Sequence, residues 1–222
     1  INKVWIFDTI SVFYEDENFI DLQSEGQQNG VRVVAENNKE HIKKIIKKNA
    51  NFLHGEILET GRFKYGYFPA FDREIKSYNT VRHCTAVYAL LETLEVDYNE
   101  NYLPKIKNAI DYALDVFYKE LNNAAYMIDG EDDSNYEIKL GSLAAAIFML
   151  AKYQEITKDN KYQKYAENLA NGIKNMVDER GETTHILNYP DLNMKEKFRI
   201  IYYDGEAALG LLRLYQINHD EN

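Results

Sequence analysis

From residue 38 onward, hydrophobic residues recur at steps of three and four, the spacing of one face of a helix. Three stretches keep their apolar residues to one side, with charged residues opposite: Asn38 to Leu53, Tyr102 to Tyr118 and Asn160 to Val177. Three others are apolar nearly all round: Asn79 to Leu94, Leu140 to Ile156 and Tyr203 to Ile217. The pattern predicts helices of two kinds, one-sided and fully buried, in alternation.

The fully apolar helices align with one another at a spacing of about 60 residues. Leu91, Leu150 and Leu212 fall in one column of this alignment. A repeat of this length that holds two helices is typical of stacked helical hairpins, with buried helices inside and one-sided helices outside. We therefore expect an all-α fold, either an (α/α) toroid or a partial toroid of about three helical hairpins.

The first part of the chain lacks this helical periodicity. Val4 to Phe7, Ile10 to Tyr14 and Val31 to Val34 are β-prone runs, and the stretch between the last two is polar. We predict two parts: an irregular, extended N-terminal segment of residues 1–37 and a helical-hairpin domain of residues 38–222.

The linkers that lead into the fully apolar helices are long and rich in aromatic residues: Gly61 to Ser77, Asn122 to Lys139 and Arg180 to Tyr202. The other linkers are short, so all the long loops should lie at one end of the domain, over the N-termini of the inner helices. Thr183 to Leu187 and Phe198 to Tyr202 are predicted to form a short β-hairpin there, and alternating aromatics at Gly61 to Pro69 predict another strand or hairpin arm.

The charge balance excludes some partners. A net charge of -10 argues against nucleic acid, whose binding surfaces are basic. No apolar run is long enough to cross a membrane, so membrane insertion is not expected and we predict a soluble protein. No signal peptide is visible in the chain, which favours a cytoplasmic location.

Candidate chemistry gathers where the inner helices begin. Tyr78, Asn79, Arg82 and His83 start the first of them, and Tyr203, Asp204 and Glu206 start the third. Together with Tyr67 in the first long loop, these side chains could bind a polyhydroxylated or anionic ligand. The structural alternative is that Asp204 caps its helix, that both carboxylates complement the helix dipole, and that Arg82 pairs with Glu206.

No metal or cofactor is expected. Cys84 is the single cysteine, and no His-x-x-x-His pair or glycine-rich phosphate loop occurs. Asp129 to Asn135 has alternating oxygen ligands but lacks the EF-hand spacing, so it is interpreted as a solvated acidic turn.

Three motifs resemble the six-hairpin glycosidase-like superfamily, and more closely a group of uncharacterised bacterial (α/α) toroid proteins within it. They are YNTVRHCTAVYAL at residues 78–90, KLGS at 139–142 and YYDGEA at 202–207. Cys84, Thr85 and Ser142 replace residues that are smaller in the group, and Asp204 stands where proline is common. The resemblance implies action on, or binding of, an oligosaccharide or polysaccharide. Relatives include hydrolases, epimerases and lyases.

On this basis we expect a carbohydrate-active toroid domain in glycan metabolism. Glu206 would act as acid/base, Arg82 and His83 as ligand-orienting or proton-handling groups, and Tyr67, Tyr78, Asn79, Tyr203 and Asp204 would bind substrate. The alternative is a non-catalytic helical scaffold that binds a glycan or a protein. Three hairpins are half of a six-hairpin ring, so a missing half-toroid or a second copy of the chain is a further expected partner.

Overall fold

The computed structural model describes residues 3–7, 9–24, 26–28, 30–33, 38–129 and 136–219. The acidic turn predicted after Asp129 lies outside these residues. Contacts divide the chain into two units, Ile1–Ile45 and Ile46–Asn222, so the division falls within the first helix.

The first unit contains one β-hairpin. β1 (Val12–Glu15) pairs antiparallel with β2 (Asn18–Asp21) around a turn in which Asp16 and Glu17 take positive φ. An isolated bridge joins Leu22 to Arg32. The β-prone run Val4 to Phe7 is not a strand, because nothing among the described residues pairs with it. β-propensity alone does not make a strand without a hydrogen-bonding neighbour.

Within the described residues, six α-helices follow the predicted pattern: α1 (Lys39–Gly55), α2 (Thr80–Val96), α3 (Leu103–Phe117), α4 (Leu140–Thr157), α5 (Gln163–Lys174) and α6 (Tyr203–Asn218). α4 lies at the centre of the second unit and packs against α2 on one side and α6 on the other. α3 packs on α2, and α5 packs on α4. Every residue from Leu140 to Tyr153 is buried, as the fully apolar pattern predicts.

α6 departs from its predicted burial. Leu212 is 52% exposed, whereas the aligned Leu91 and Leu150 are 0% and 2% exposed. Leu209 and Tyr215 are exposed on the same helix. α6 has α4 as its main neighbour among the described residues, so its opposite side has no helix to cover it.

The prediction of an all-α fold with only short hairpins was wrong about the sheet. Five antiparallel strands lie side by side in the order β5-β6-β7-β8-β9: β5 (Tyr118–Leu121), β6 (Ala124–Asp129), β7 (Glu137–Lys139), β8 (Ile186–Asn188) and β9 (Met194–Glu196). A separate small hairpin joins β3 (Tyr67–Phe68) to β4 (Arg73–Glu74). β6 is buried along its whole length, so it lacks the alternation that marks a half-buried strand. The fold is predominantly helical, with a sheet built from two of the long loops.

Candidate functional site

The start of α2 is held by hydrogen bonds from two directions. The Asn79 side chain caps the helix by accepting a bond from the backbone N–H of Arg82 (3.0 Å). Asp129, at the end of β6, accepts a hydrogen bond from the Thr80 N–H (3.3 Å) and forms an ion pair with Lys139 (2.6 Å). The sheet therefore supplies the negative charge that the first turn of α2 lacks.

A second network joins Tyr78 and His83 to the neighbouring loop and helix. The Tyr78 hydroxyl accepts the Phe63 N–H (2.9 Å) and donates to Nδ1 of His83 (2.7 Å). Nε2–H of His83 donates to the carbonyl oxygen of Ala109 in α3 (2.8 Å), because a carbonyl can only accept. Both ring nitrogens of this buried histidine are thus occupied.

Burial sets the protonation of this network. Burial, opposed by the hydrogen bond to Ala109 and assisted by the positive charge of Arg62, lowers the pKa of His83 to about 4. Burial likewise raises the pKa of Tyr78 to about 12. His83 is therefore a neutral imidazole at physiological pH, and Tyr78 keeps its proton.

An open cavity of about 660 Å³ lies beside this network. Its lining includes the rings of Phe63, Tyr65, Tyr67 and Tyr78, the side chains of Arg82 and His83, and the charged groups of Glu56 and Lys64. Four of the predicted site residues, Tyr67, Tyr78, Arg82 and His83, are therefore brought together. The volume is in the range of pockets that take small-molecule ligands.

A smaller cavity of about 300 Å³ shares Tyr65 and Tyr78 with the first. Asn79 lines it, together with Asp129, Glu137 and Lys139. Lys139 belongs to the second sequence motif, whereas Asp129 and Glu137 are not among the predicted site residues. The signal that could have found Asp129 is a carboxylate at the end of a fully apolar strand, where it brings a charge to the end of the sheet.

Glu137 is held by cations. Arg199 donates to both of its carboxylate oxygens (2.9 and 3.2 Å), and Lys195 pairs with it at 2.8 Å. The hydrogen bond from Arg199 contributes most to lowering the pKa of Glu137 to about 2. The Glu137 carboxylate is therefore ionised and already paired.

The predicted residues at the start of α6 lie outside the lining of both cavities. Tyr203 is buried, with its ring against Gly141, where an added Cβ would overlap it and lie 3.0 Å from Oε2 of Glu206. Burial raises the pKa of Tyr203 to about 12. Tyr203 and Glu206 therefore lie against the first turn of α4.

Asp204 is not a helix cap. Tyr202 occupies the cap position, and no side chain hydrogen-bonds the free N–H groups there. The Asp204 carboxylate instead accepts bonds from the Thr183 hydroxyl and from Nε2 of His185 (3.1 Å). These bonds, the one from Thr183 first, lower the pKa of Asp204.

Arg82 does not pair with Glu206. Nη1 of Arg82 donates to the Tyr65 hydroxyl (2.6 Å) and takes part in no ion pair among the described residues. Oε2 of Glu206 is buried without a hydrogen-bond partner in the same part of the chain, and burial raises the pKa of Glu206. Each of the two groups is left without a charged partner.

His185 is a residue that sequence reasoning left out of the site. It is completely buried, and its Nδ1 accepts the backbone N–H groups of Arg199 (3.0 Å) and Ile200 (3.2 Å). Its Nε2–H therefore donates to Asp204, which ties the loop before α6 to the helix start.

Two other kinds of site are absent from the described part of the chain. Among the described residues, no group of three or more His, Cys, Asp or Glu side chains could hold a metal ion. Within the same residues, no helix combines the length and hydrophobicity required to cross a membrane.

No protein-family model matches the chain, and no curated protein matches it in sequence. Solved structures do match. A D-mannose isomerase shares 15% identity over 80% of this chain and 48% of its own, with a TM-score of 0.63. A sugar epimerase from a ruminal bacterium shares 18% identity over 81% of this chain and 51% of its own, with a TM-score of 0.62.

A GH76 alpha-mannanase of Bacteroides thetaiotaomicron shares 15% identity over 81% of this chain and 56% of its own, with a TM-score of 0.58. The chain thus spans about half the length of the structures it matches. Over the matched residues it shares the (α/α) toroid fold of these structures, which confirms the type of fold that the sequence motifs implied.

Proposed function

We propose that this domain binds a saccharide in the cavity beside the start of α2, as part of a carbohydrate-processing protein. One observation carries the proposal. Tyrosine rings line the same open cavity as the Arg82 guanidinium, which has no carboxylate partner among the described residues. Flat rings stack on the apolar faces of sugars, and charged donors bind their oxygen atoms. The structures that share the fold include a sugar isomerase, a sugar epimerase and a mannanase, which supports a sugar ligand.

In this proposal Tyr67 and Tyr78 contact the sugar, Asn79 lies in the adjoining cavity, and Arg82 orients the ligand. His83 acts as a positioning residue, because both of its ring nitrogens are already bonded. A role for His83 in proton transfer would require breaking one of these bonds. Tyr203 and Asp204 would position α6 and Glu206.

Glu206 is the proposed acid/base if the protein is catalytic. Its raised pKa and its unpartnered oxygen suit a carboxyl group that gives up and regains a proton. Catalysis would require the sugar to reach from the Arg82 cavity towards the first turn of α4.

Non-catalytic glycan binding is the second candidate function. It is favoured by one observation, that Glu206 does not line the cavity that contains Arg82 and His83. A saccharide that binds with wild-type affinity to Glu206→Gln and is not converted by either protein would support this candidate. Conversion by wild type alone, followed by NMR of the sugar, would support the enzyme.

The binding proposal is tested by a thermal-shift screen of oligosaccharides with wild type and Arg82→Ala. We expect a saccharide to raise the melting temperature of wild type and to have a smaller effect on the variant. Arg73→Ala is the matched control, because Arg73 lies in β4, on the loop that carries Tyr65 and Tyr67, and outside the cavity lining. The absence of a shift with every saccharide would contradict the proposal.

We also propose that the helices form a partial toroid of about three hairpins, with α2, α4 and α6 inside. The exposed apolar side chains of α6 and the double length of the similar structures support this. A further segment or a second copy of the chain would complete the ring. Light scattering coupled to gel filtration measures whether this chain forms a dimer, and Leu212→Glu should dissociate a dimer that uses α6.

A further inference from the structure

Arg82 lines the cavity, and most of its N–H donors have no partner among the described residues. A guanidinium has five N–H donors, and the bond to the Tyr65 hydroxyl (2.6 Å) is the one hydrogen bond it makes among the described residues. The guanidinium also lies 5.3 Å from the centre of the Tyr65 ring. These contacts orient the group and leave its other donors available to a ligand.

The other five arginines of the second unit, Arg62, Arg73, Arg180, Arg199 and Arg213, do not line the cavity. Arg199 pairs with Glu137 and Glu196, and Arg213 pairs with Glu155. Arg62 and Arg73 lie over aromatic rings and do not line the cavity. Arg82 thus lines the cavity and forms no ion pair with a carboxylate among the described residues.

Its position in the helix adds to this contrast. Arg82 lies in the first turn of α2, where the helix dipole disfavours a cation and favours an anion. Acidic residues outnumber basic ones in this chain, 36 to 26, so carboxylates are abundant. An exposed cation at an unfavourable position, without a carboxylate partner, is the kind of local conflict that marks a binding group.

We propose that the cavity takes a saccharide with a hexuronate residue, and that the Arg82 guanidinium binds its carboxylate while the tyrosine rings contact the sugar face. This inference rests on the proposed saccharide binding and names the class of sugar. The planar fork of arginine matches a carboxylate with two parallel hydrogen bonds.

The charges around the cavity favour a carboxylate over a phosphate. Lys64 lines the cavity and attracts an anion, but it is also 3.6 Å from Glu74. Glu56 lines the same cavity and repels an anion. A sugar phosphate carries nearly two charges near neutral pH and costs more to desolvate than a carboxylate. With Lys64 shared with Glu74 and Glu56 opposing Arg82, the lining offers little net positive charge to offset that cost.

The test compares sugars that differ only in the carboxylate. Calorimetry measures the binding of cellobiouronic acid against cellobiose, and of digalacturonic acid against galactobiose, to the full chain. Arg82→Gln removes the charge, Arg82→Lys keeps the charge without the fork, and Arg73→Gln is the control. Glucose 6-phosphate against glucuronate tests the choice of anion.

We expect at least one acidic disaccharide to bind wild type about 10- to 100-fold more tightly than its neutral counterpart, the effect of charged hydrogen bonds. Arg82→Gln should abolish this ratio, Arg82→Lys should retain part of it, and Arg73→Gln should leave it unchanged.

Equal affinity for the acidic and neutral members of each pair would overturn the uronate inference while leaving saccharide binding intact. A preference that survives Arg82→Gln would overturn the role of Arg82. Tighter binding of glucose 6-phosphate than of glucuronate would overturn the choice of carboxylate. If none of the sugars binds, the proposed function itself fails.

Discussion

The starts of α2 and α6 each involve one imidazole and one carboxylate, but the helix carries a different one of the two in each case. At α2 the helix carries the imidazole, His83, and the sheet supplies the carboxylate, Asp129. At α6 the helix carries the carboxylate, Asp204, and the preceding loop supplies the imidazole, His185. In both places these groups join the helix to its surroundings, so a histidine and a carboxylate at a helix start need not be catalytic.

The comparison also shows what each helix start leaves unpaired. Arg82 at α2 and Glu206 at α6 have no charged partner among the described residues. Arg82 is exposed beside an aromatic cavity, whereas Glu206 is half-buried against Tyr203 and Gly141. We therefore propose ligand binding at the start of α2. The groups that already have partners, such as Asp129, Asp204 and His185, have a structural role.

The largest expected effect is that of His185→Ala. The change leaves two backbone N–H groups without their acceptor and opens a cavity at a completely buried site, which should lower the free energy of unfolding by about 3–5 kcal/mol. Urea denaturation followed by circular dichroism measures it.

Asp204→Ala is the companion variant for His185, because it keeps both backbone bonds and should cost less. If both variants cost the same, the bond to Asp204 rather than the backbone bonds would be the important contact.

The second effect is the response of the α2 network to acid. The pKa of His83 falls from 6.5 to about 4 in the fold, so the unfolded chain binds the proton more readily. Stability from the neutral imidazole is complete above pH 6.5 and is lost as the pH falls towards 4. The loss is about 3 kcal/mol, at about 1.4 kcal/mol for each pH unit between the two pKa values.

Urea denaturation of wild type and His83→Gln at pH 7 and pH 4.5 measures the contribution of His83 protonation to the free energy of unfolding. The carboxylates titrate in both proteins, so their effect cancels in the difference. The stability difference between the two proteins should narrow or reverse at the lower pH. A difference that does not change with pH would contradict a neutral, buried His83.

The third effect contrasts Gly141, at the α4–α6 contact, with Gly205, which lies in the first turn of α6 and faces open space. Gly141→Ala places a Cβ against the Tyr203 ring and Glu206, so we expect a loss of about 1–3 kcal/mol from overpacking. Gly205→Ala meets no atom within 4 Å and replaces a helical glycine, so we expect a gain of up to about 1 kcal/mol. Melting temperatures that move in the same direction for both variants would contradict the described packing.

Local features of the chain were predictable from sequence. The Asn79 cap and the alternation of helix types depend on neighbours within one or two helical turns, which a single sequence displays. The buried run from Leu140 to Tyr153 follows from the same pattern.

Features that depend on distant residues were not predictable. The sheet pairs Ile138 of β7 with Leu187 of β8, and the His83 network needs the Ala109 carbonyl of α3. The exposure of Leu212 depends on which helix lies beside α6, and periodicity carries no record of that neighbour. The pairing of Asp204 with His185 was missed for the same reason.

The smallest effect tests the two acids of α6 against each other. Hydrogen bonds from Thr183 and His185 lower the pKa of Asp204, so its ionised form stabilises the fold above the ordinary aspartate pKa and this contribution is lost in acid. Burial raises the pKa of Glu206, so its ionised form disfavours folding as the pH rises.

At pH 7 we expect Asp204→Asn to lower the melting temperature slightly and Glu206→Gln to raise it slightly. At pH 3 the gain from Glu206→Gln should vanish, because the native carboxyl group is then protonated. A Glu206→Gln variant less stable than wild type at pH 7 would instead show that the carboxylate has a partner in solution, and the two helix starts would differ less than their contacts indicate.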